Sequence, residues 1–99
     1  MLSFNVRAGD DIWFGLRGAS LGTFQQVVIK ATTDDGGVTL LTPTEEIDLI
    51  PDTEAEELGV LGVRVQVTQA HYEDHALLGM IASDNVVILK GRKYRKQLQ

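Results

Sequence analysis

Residues 2–7 (LSFNVR) alternate apolar and polar side chains, the period-two pattern of a half-buried strand. Residues 62–71 (GVRVQVTQAH) show the clearest alternation, with Val63, Val65 and Val67 on one face. Shorter runs rich in β-branched residues lie between and after them: Ile12-Trp13-Phe14, residues 24–32 (FQQVVIKAT), 38–42 (VTLLT), 46–50 (EIDLI), 76–82 (ALLGMIA) and 86–90 (VVILK). Turn chemistry separates these runs at Ala8-Gly9-Asp10, Asp34-Asp35-Gly36-Gly37, Tyr72-Glu73-Asp74-His75 and Ser83-Asp84-Asn85. Asp-Gly and Gly-Gly tolerate the positive φ of tight turns, so residues 24–32 and 38–42 are expected to form an antiparallel hairpin.

Two helices are expected beside the strands. Asp52 or Thr53 is placed to cap a brief helix over residues 54–58, with acids in its first turn and Gly59 as its stop. The tail RKYRKQLQ after Gly91 is compatible with a helix, with Tyr94 and Leu98 four apart on one side. Trp13 and Phe14 are assigned to the core. The fold class is all-β, in a single domain spanning residues 1–99. A core this small gains from dimerisation.

Charge changes the picture. The chain carries 14 acids and nine basic residues, a net of −5, which taken alone speaks against nucleic acid. The charge is segregated, however. Nine of the acids lie between Asp34 and Glu57, a stretch with no basic residue, whereas Lys90, Arg92, Lys93, Arg95 and Lys96 crowd into seven positions. There is no cysteine, which excludes disulfides, thiolate metal sites and cysteine nucleophiles. No apolar stretch approaches membrane-spanning length, and the N-terminus lacks the pattern of a secretory signal; a cytoplasmic location is the default. No nucleophile-elbow or phosphate-loop spacing is present, and no enzymatic activity or cofactor is expected. His71 and His75 flank Glu73 and Asp74, but nothing in the sequence fixes their geometry, and no metal site is assigned.

The two ends of the chain resemble the carbon storage regulator (CsrA/RsmA) family of RNA-binding translational regulators. In MLSFNVRAGDDIWFG, the residues Met1, Leu2, Arg7, Gly9, Ile12 and Gly15 match the family's opening pattern, and Asp10 replaces a glutamate. Towards the C-terminus Leu78, Gly79, Ala82, Val86, Ile88 and Tyr94 fall in register, with Lys90 in the place of an arginine. Residues 1–16 and 63–99 form the family-like core, and residues 17–62 are an insertion. The insertion holds nine acids and two basic residues (Arg17 and Lys30), so the core alone is mildly basic.

The resemblance implies an interlocked homodimer whose strands from both chains build one β-sandwich or barrel, here with an inserted hairpin and short helix. It also implies an RNA surface that combines the first strand of one chain with the last strand of the other. Phe4 and Arg7 then lie on the first strand, Ile88 and Lys90 on the last, and Arg92, Lys93, Arg95 and Lys96 add phosphate attraction. The implied ligand is single-stranded or loop RNA of messenger leaders, with GGA-type hairpin loops suspected. Val6, Lys90, Leu89 and Ser83 depart from the family's arginine, arginine, histidine and proline. Lysine offers a point charge without the planar fork that reads guanine. The alternative is a derived protein–protein interaction module that has lost specific RNA binding and works through its acidic insertion.

Overall fold

A computed structural model describes residues 1–69 and 75–99. Nine strands and one helix follow in order: β1 (Leu2–Val6), β2 (Asp11–Leu16), β3 (Gln25–Thr32), β4 (Val38–Leu41), β5 (Glu46–Leu49), β6 (Glu56–Glu57), β7 (Arg64–Gln69), β8 (Ala76–Ile81), β9 (Val86–Lys90) and α1 (Gly91–Gln97). One antiparallel sheet has the order β1-β8-β7-β6 and the other β5-β4-β3-β2-β9. The all-β reading holds, and most expected strands appear within a residue or two.

The alternating pattern explains the sandwich. Register pairs Val65 with Met80, Val67 with Leu78, Phe4 with Leu78 and Val6 with Ala76, which puts these apolar side chains on one face of the first sheet. In the second sheet Ile12 pairs with Val27, Ile29 with Leu40, and Val38 with Leu49. The two faces meet in one core in which Ile12, Phe14, Ile29, Leu40, Val65 and Leu78 are fully buried. Each such aliphatic or aromatic side chain contributes roughly 1.5–3 kcal/mol on leaving water. Residues from the 17–62 segment are integral to this core: Val27, Ile29, Val38, Leu40, Leu49, Leu58 and Val60 all belong to it.

The hairpin of β3 and β4 forms as expected. Its turn is closed by Thr33 N–H to the Gly37 carbonyl (3.0 Å) and Gly36 N–H to the Thr33 carbonyl (3.0 Å), with Gly36 at φ 89°. The register of β3 shifts between Ile29 and Ala31, a bulge at Lys30.

The helix expected over residues 54–58 is absent. Glu56 and Glu57 instead pair with Val65 and Arg64 as a short strand. The expected caps serve turns: Asp52 takes φ 60° and its N–H donates to the Val67 carbonyl (2.8 Å), and the Thr53 hydroxyl donates to the Ile50 carbonyl (2.9 Å). Five residues cannot repay helix nucleation by themselves. Leu58, Val60 and Val63 are buried, so the segment gains more by tucking apolar side chains into the sandwich. A single 3-10 turn, Leu21–Thr23, lies elsewhere in the 17–62 segment.

The C-terminal helix is present, but only one of its two expected apolar contacts forms. Tyr94 is buried, whereas Leu98 is 55% exposed. Phe14 is in the core as expected. Trp13 is not: adjacent residues of a strand point to opposite faces, and Trp13 lies half-buried on the outside of the second sheet. The expected turn at residues 72–75, with His71, Glu73 and Asp74, lies outside the described residues, apart from His75. Among the described residues, no helix is long and apolar enough to cross a membrane, and no group of three or more His, Asp or Glu side chains could hold a metal ion.

Candidate nucleic-acid interface

β1 ends one sheet and β9 ends the other, so the first and last strands of the chain bound the same side of the sandwich. Each is hydrogen-bonded to a strand on one edge only, which leaves backbone N–H and C=O groups along both outer edges. Between them runs a seam with two depressions. Leu2 lines one of about 360 Å³ together with Val86 and Ile88. Phe4, Asn5 and Val6 line the other, of about 230 Å³, with Lys90, Gly91, Arg92 and Arg95. This order of neighbours means that β1 and β9 run in the same direction.

Strand periodicity determines what faces the seam. On β9, Val86, Ile88 and Lys90 share one face, and their register partners on β2 are Leu16, Phe14 and Ile12. Val86 and Ile88 are half-buried against the main core, and so is Phe4 from the opposite sheet. Lys90, at the exposed end of that row, places its Nζ 5.0 Å from the centroid of the Phe4 ring. Such a cation–π contact is worth about 0.5–1 kcal/mol at an accessible site. It ties the two sheets together where no backbone bond does.

The opposite face of β9 carries α1. Val87 and Leu89 join Phe24, Tyr94, Trp13 and Leu21 in a second apolar cluster outside the sheet. Trp13 and Tyr94 stack with ring centroids 3.9 Å apart and an interplanar angle of 3°, and the Tyr94 hydroxyl donates to the Leu21 carbonyl (2.7 Å). The Phe24 ring lies over Gly15, where a Cβ would stand 2.2 Å from it. A glycine at position 15 thus has a physical reason in close packing.

Asp11 fixes the helix in azimuth. One carboxylate oxygen, Oδ2, accepts from Trp13 Nε1 (2.9 Å), Gln26 Nε2 (3.0 Å) and an Arg95 guanidinium nitrogen (2.8 Å). Gly91 passes so close that a Cβ there would collide with the same carboxylate. Burial pushes the Asp11 carboxyl up, but the hydrogen bonds from Arg95, Gln26 and Trp13 and the guanidinium charge together hold it below its ordinary value. The same contact raises the Arg95 guanidinium. Arg95 and Lys96 occupy the last turn of α1, where the helix dipole favours positive charge.

Of the residues singled out from sequence, Phe4, Lys90, Arg92 and Arg95 line one depression. Ile88 lies in the other, its side chain turned towards the core. Arg7 is exposed at the turn beyond β1, where its backbone N–H donates to the Asp10 carboxylate (3.0 Å). Lys93 and Lys96 are exposed on α1 and line neither depression. Sequence reasoning missed Asn5, which adds an amide to the cleft, and Arg17, whose guanidinium donates to the Asp84 carbonyl (3.1 and 3.2 Å) and braces the turn before β9. It also missed Asp11, although its spacing of two from Trp13 on one strand face was a usable signal.

Chemically, the seam offers an aromatic ring, exposed strand edges, an amide and several cations over a shallow surface. No protein-family model, curated protein or solved structure matches the chain.

Proposed function

We propose that this chain is an RNA-binding post-transcriptional regulator of the cytoplasm, taking single-stranded or loop RNA along the β1/β9 seam. The observation that carries the reading is the approach of Lys90 to Phe4 at two free strand edges, with Arg92 and Arg95 beside them. Sequence-tolerant RNA recognition uses this combination of cationic side chains for phosphate and aromatic or backbone groups for splayed bases. Asp10 and Asp11 in the same depression oppose it, and Asp11 engages Arg95, which leaves Lys90 and Arg92 as the cations outside that ion pair. The resemblance of both ends to the carbon storage regulator family supports GGA-type hairpin loops as the ligand class.

A second reading rests on the acidic insertion, where Asp48, Glu54 and Glu56 surround a depression next to β5. That surface would serve a cationic protein partner, without RNA.

Anisotropy titration of a labelled GGA-hairpin RNA, against the same hairpin with the triplet replaced, tests the first reading. Binding should weaken with salt by roughly 0.7 log unit per log unit for each phosphate contacted, and Lys90→Ala should remove about one such contact. Absence of binding to any RNA at low salt would leave only the protein-contact reading.

A further inference from the structure

We infer that the free edge of β5 takes up an extended segment of another protein in which basic and apolar residues alternate, adding it to the sheet as a further strand. The inference rests on the protein-contact reading of the acidic side and is independent of the RNA reading.

β5 spans four residues, Glu46–Leu49, and pairs on one edge only, with β4. In an antiparallel pair, alternate residues turn their N–H and C=O groups towards the partner strand and the residues between turn theirs away. Among the described residues no further strand pairs with those outward groups. The same alternation sorts the side chains. Glu46 and Asp48 are exposed on the outer face of the sheet, whereas Leu49 is buried and Ile47 is partly buried against the core. A strand laid along this edge therefore meets carboxylates on one face and aliphatic carbon on the other.

Beyond its last residue the edge opens into two depressions. Asp34 and Asp35 line one of about 520 Å³, and Glu54 and Glu56 the other, of about 350 Å³. Asp48 and Ile50 belong to both, and Ile50 is 63% exposed. It offers an apolar contact that the fold itself leaves uncovered.

Charge selects the occupant. No basic residue lies between Lys30 and Arg64 in the sequence. Lys30 pairs with Glu46, and the Arg64 guanidinium donates to the Ala55 carbonyl (3.2 Å). Like charge keeps the β5 edges of two copies apart, a common protection of edge strands. A basic segment turns that repulsion into attraction. Strand addition then supplies backbone hydrogen bonds for affinity and alternate side chains for specificity.

The probe is a capped, labelled hexapeptide of alternating lysine and valine, titrated at low salt and followed by anisotropy. Two further forms carry backbone N-methyl groups, one at its lysines and the other at its valines. Each form loses the N–H donors of one strand edge and keeps the charge. One form should bind roughly tenfold more weakly than the unmethylated peptide and the other equally well. Asp48→Lys, at an exposed position, should weaken the unmethylated peptide to a similar degree without shifting thermal unfolding. Equal binding by all three peptides would overturn strand addition and leave the protein-contact reading standing, with charge alone as its basis. Parent-like binding to the Asp48→Lys chain would place the peptide elsewhere and overturn the inference too. Self-association of the parent chain that Asp48→Lys abolishes would make a second copy the occupant and likewise overturn it. Failure of this peptide and of a basic helical peptide to bind at low salt would remove the protein-contact reading, and this inference with it.

Discussion

The two open sides of the sandwich differ in charge balance. On the side of β1 and β9 the two depressions hold Lys90, Arg92, Arg95 and Arg17 beside Asp10, Asp11 and Asp84, with Arg7 exposed nearby, a small excess of positive charge. On the side of β5 and β6 the surface gathers Asp34, Asp35, Asp48, Glu54 and Glu56, with Lys30 held by Glu46 at 2.5 Å. The sheet orders create this contrast. They place the terminal strands of the chain on one side and the middle strands on the other, so a charge split along the sequence becomes a charge split across the molecule. A net charge of −5 therefore describes neither side. The difference teaches that an acidic protein can present a cationic surface, provided that topology keeps the segments apart.

The largest test of this contrast removes the acidic side. Deleting residues 17–62 and bridging the gap with a short Gly/Ser linker takes seven buried residues, from Val27 to Val60, out of the core. Large-to-small changes at single buried positions already cost about 2–5 kcal/mol. The shortened chain should show no cooperative thermal unfolding as a monomer, measured by circular dichroism alongside sedimentation. A stable, folded monomer would mean that residues 17–62 are an appendage rather than half of the sandwich.

A smaller effect is expected from the packing beneath the basic helix. Gly15→Ala drives a Cβ into the Phe24 ring, which is itself packed in the Tyr94 cluster. Overpacking of this kind costs about 1–3 kcal/mol. Gly79→Ala meets only the flexible Met1 thioether as its nearest neighbour and should cost much less. Urea unfolding of the two variants should rank them in this order. Equal midpoints would show that Phe24 is free to leave.

How much of this was legible in the sequence depends on the range of the interaction. Alternation gave the strands because each needs only one apolar face: Val63, Val65 and Val67 are all buried as their spacing predicts. The segment 54–58 misled because its acids and capping residues satisfy helix rules locally, while its pairing with Val65 and Arg64 is tertiary. Trp13 and Phe14 are both assigned to the core from the sequence, although strand geometry must turn these neighbours to opposite faces. In the site, the basic tail was visible as a charge run. That Arg95 would be held by Asp11, 84 positions away, was not visible in any local pattern.

That long-range contact supports a prediction on the basic side, of intermediate size. Asp11→Asn keeps the shape but weakens three charge-assisted bonds, and should cost about 1–2 kcal/mol. Because folding holds this carboxyl below its ordinary value of 3.8, its contribution is complete above that value and fades as the pH falls through the lower folded one. Trp13, the only tryptophan, stacks on Tyr94 and reports the docking of α1 through its fluorescence. An acid titration that falls through and below pH 3.8 should release that signal in the parent chain. Asp11→Asn should flatten the transition. An identical acid transition in both chains would place the responsible carboxyl elsewhere.

The smallest effect is expected on the acidic side, and it asks whether that side repels nucleic acid or binds the seam of a second copy. Asp48, Glu54 and Glu56 are exposed, so Asp48→Asn with Glu54→Gln and Glu56→Gln should change stability by only about 0.5 kcal/mol in either direction. If that side only repels nucleic acid, neutralising it should raise the association rate for RNA modestly at low salt. The gain should vanish once the Debye length falls to about 8 Å at physiological ionic strength. Dissociation should be unchanged, because the substitutions lie across the sandwich from the cleft. If the acidic side instead competes with RNA for the cationic seam of a second copy, the same substitutions should also abolish concentration-dependent self-association. Stopped-flow binding and sedimentation on one preparation read both quantities. An unaltered association rate at low salt would show that the separation of charge does not steer RNA to the β1/β9 side.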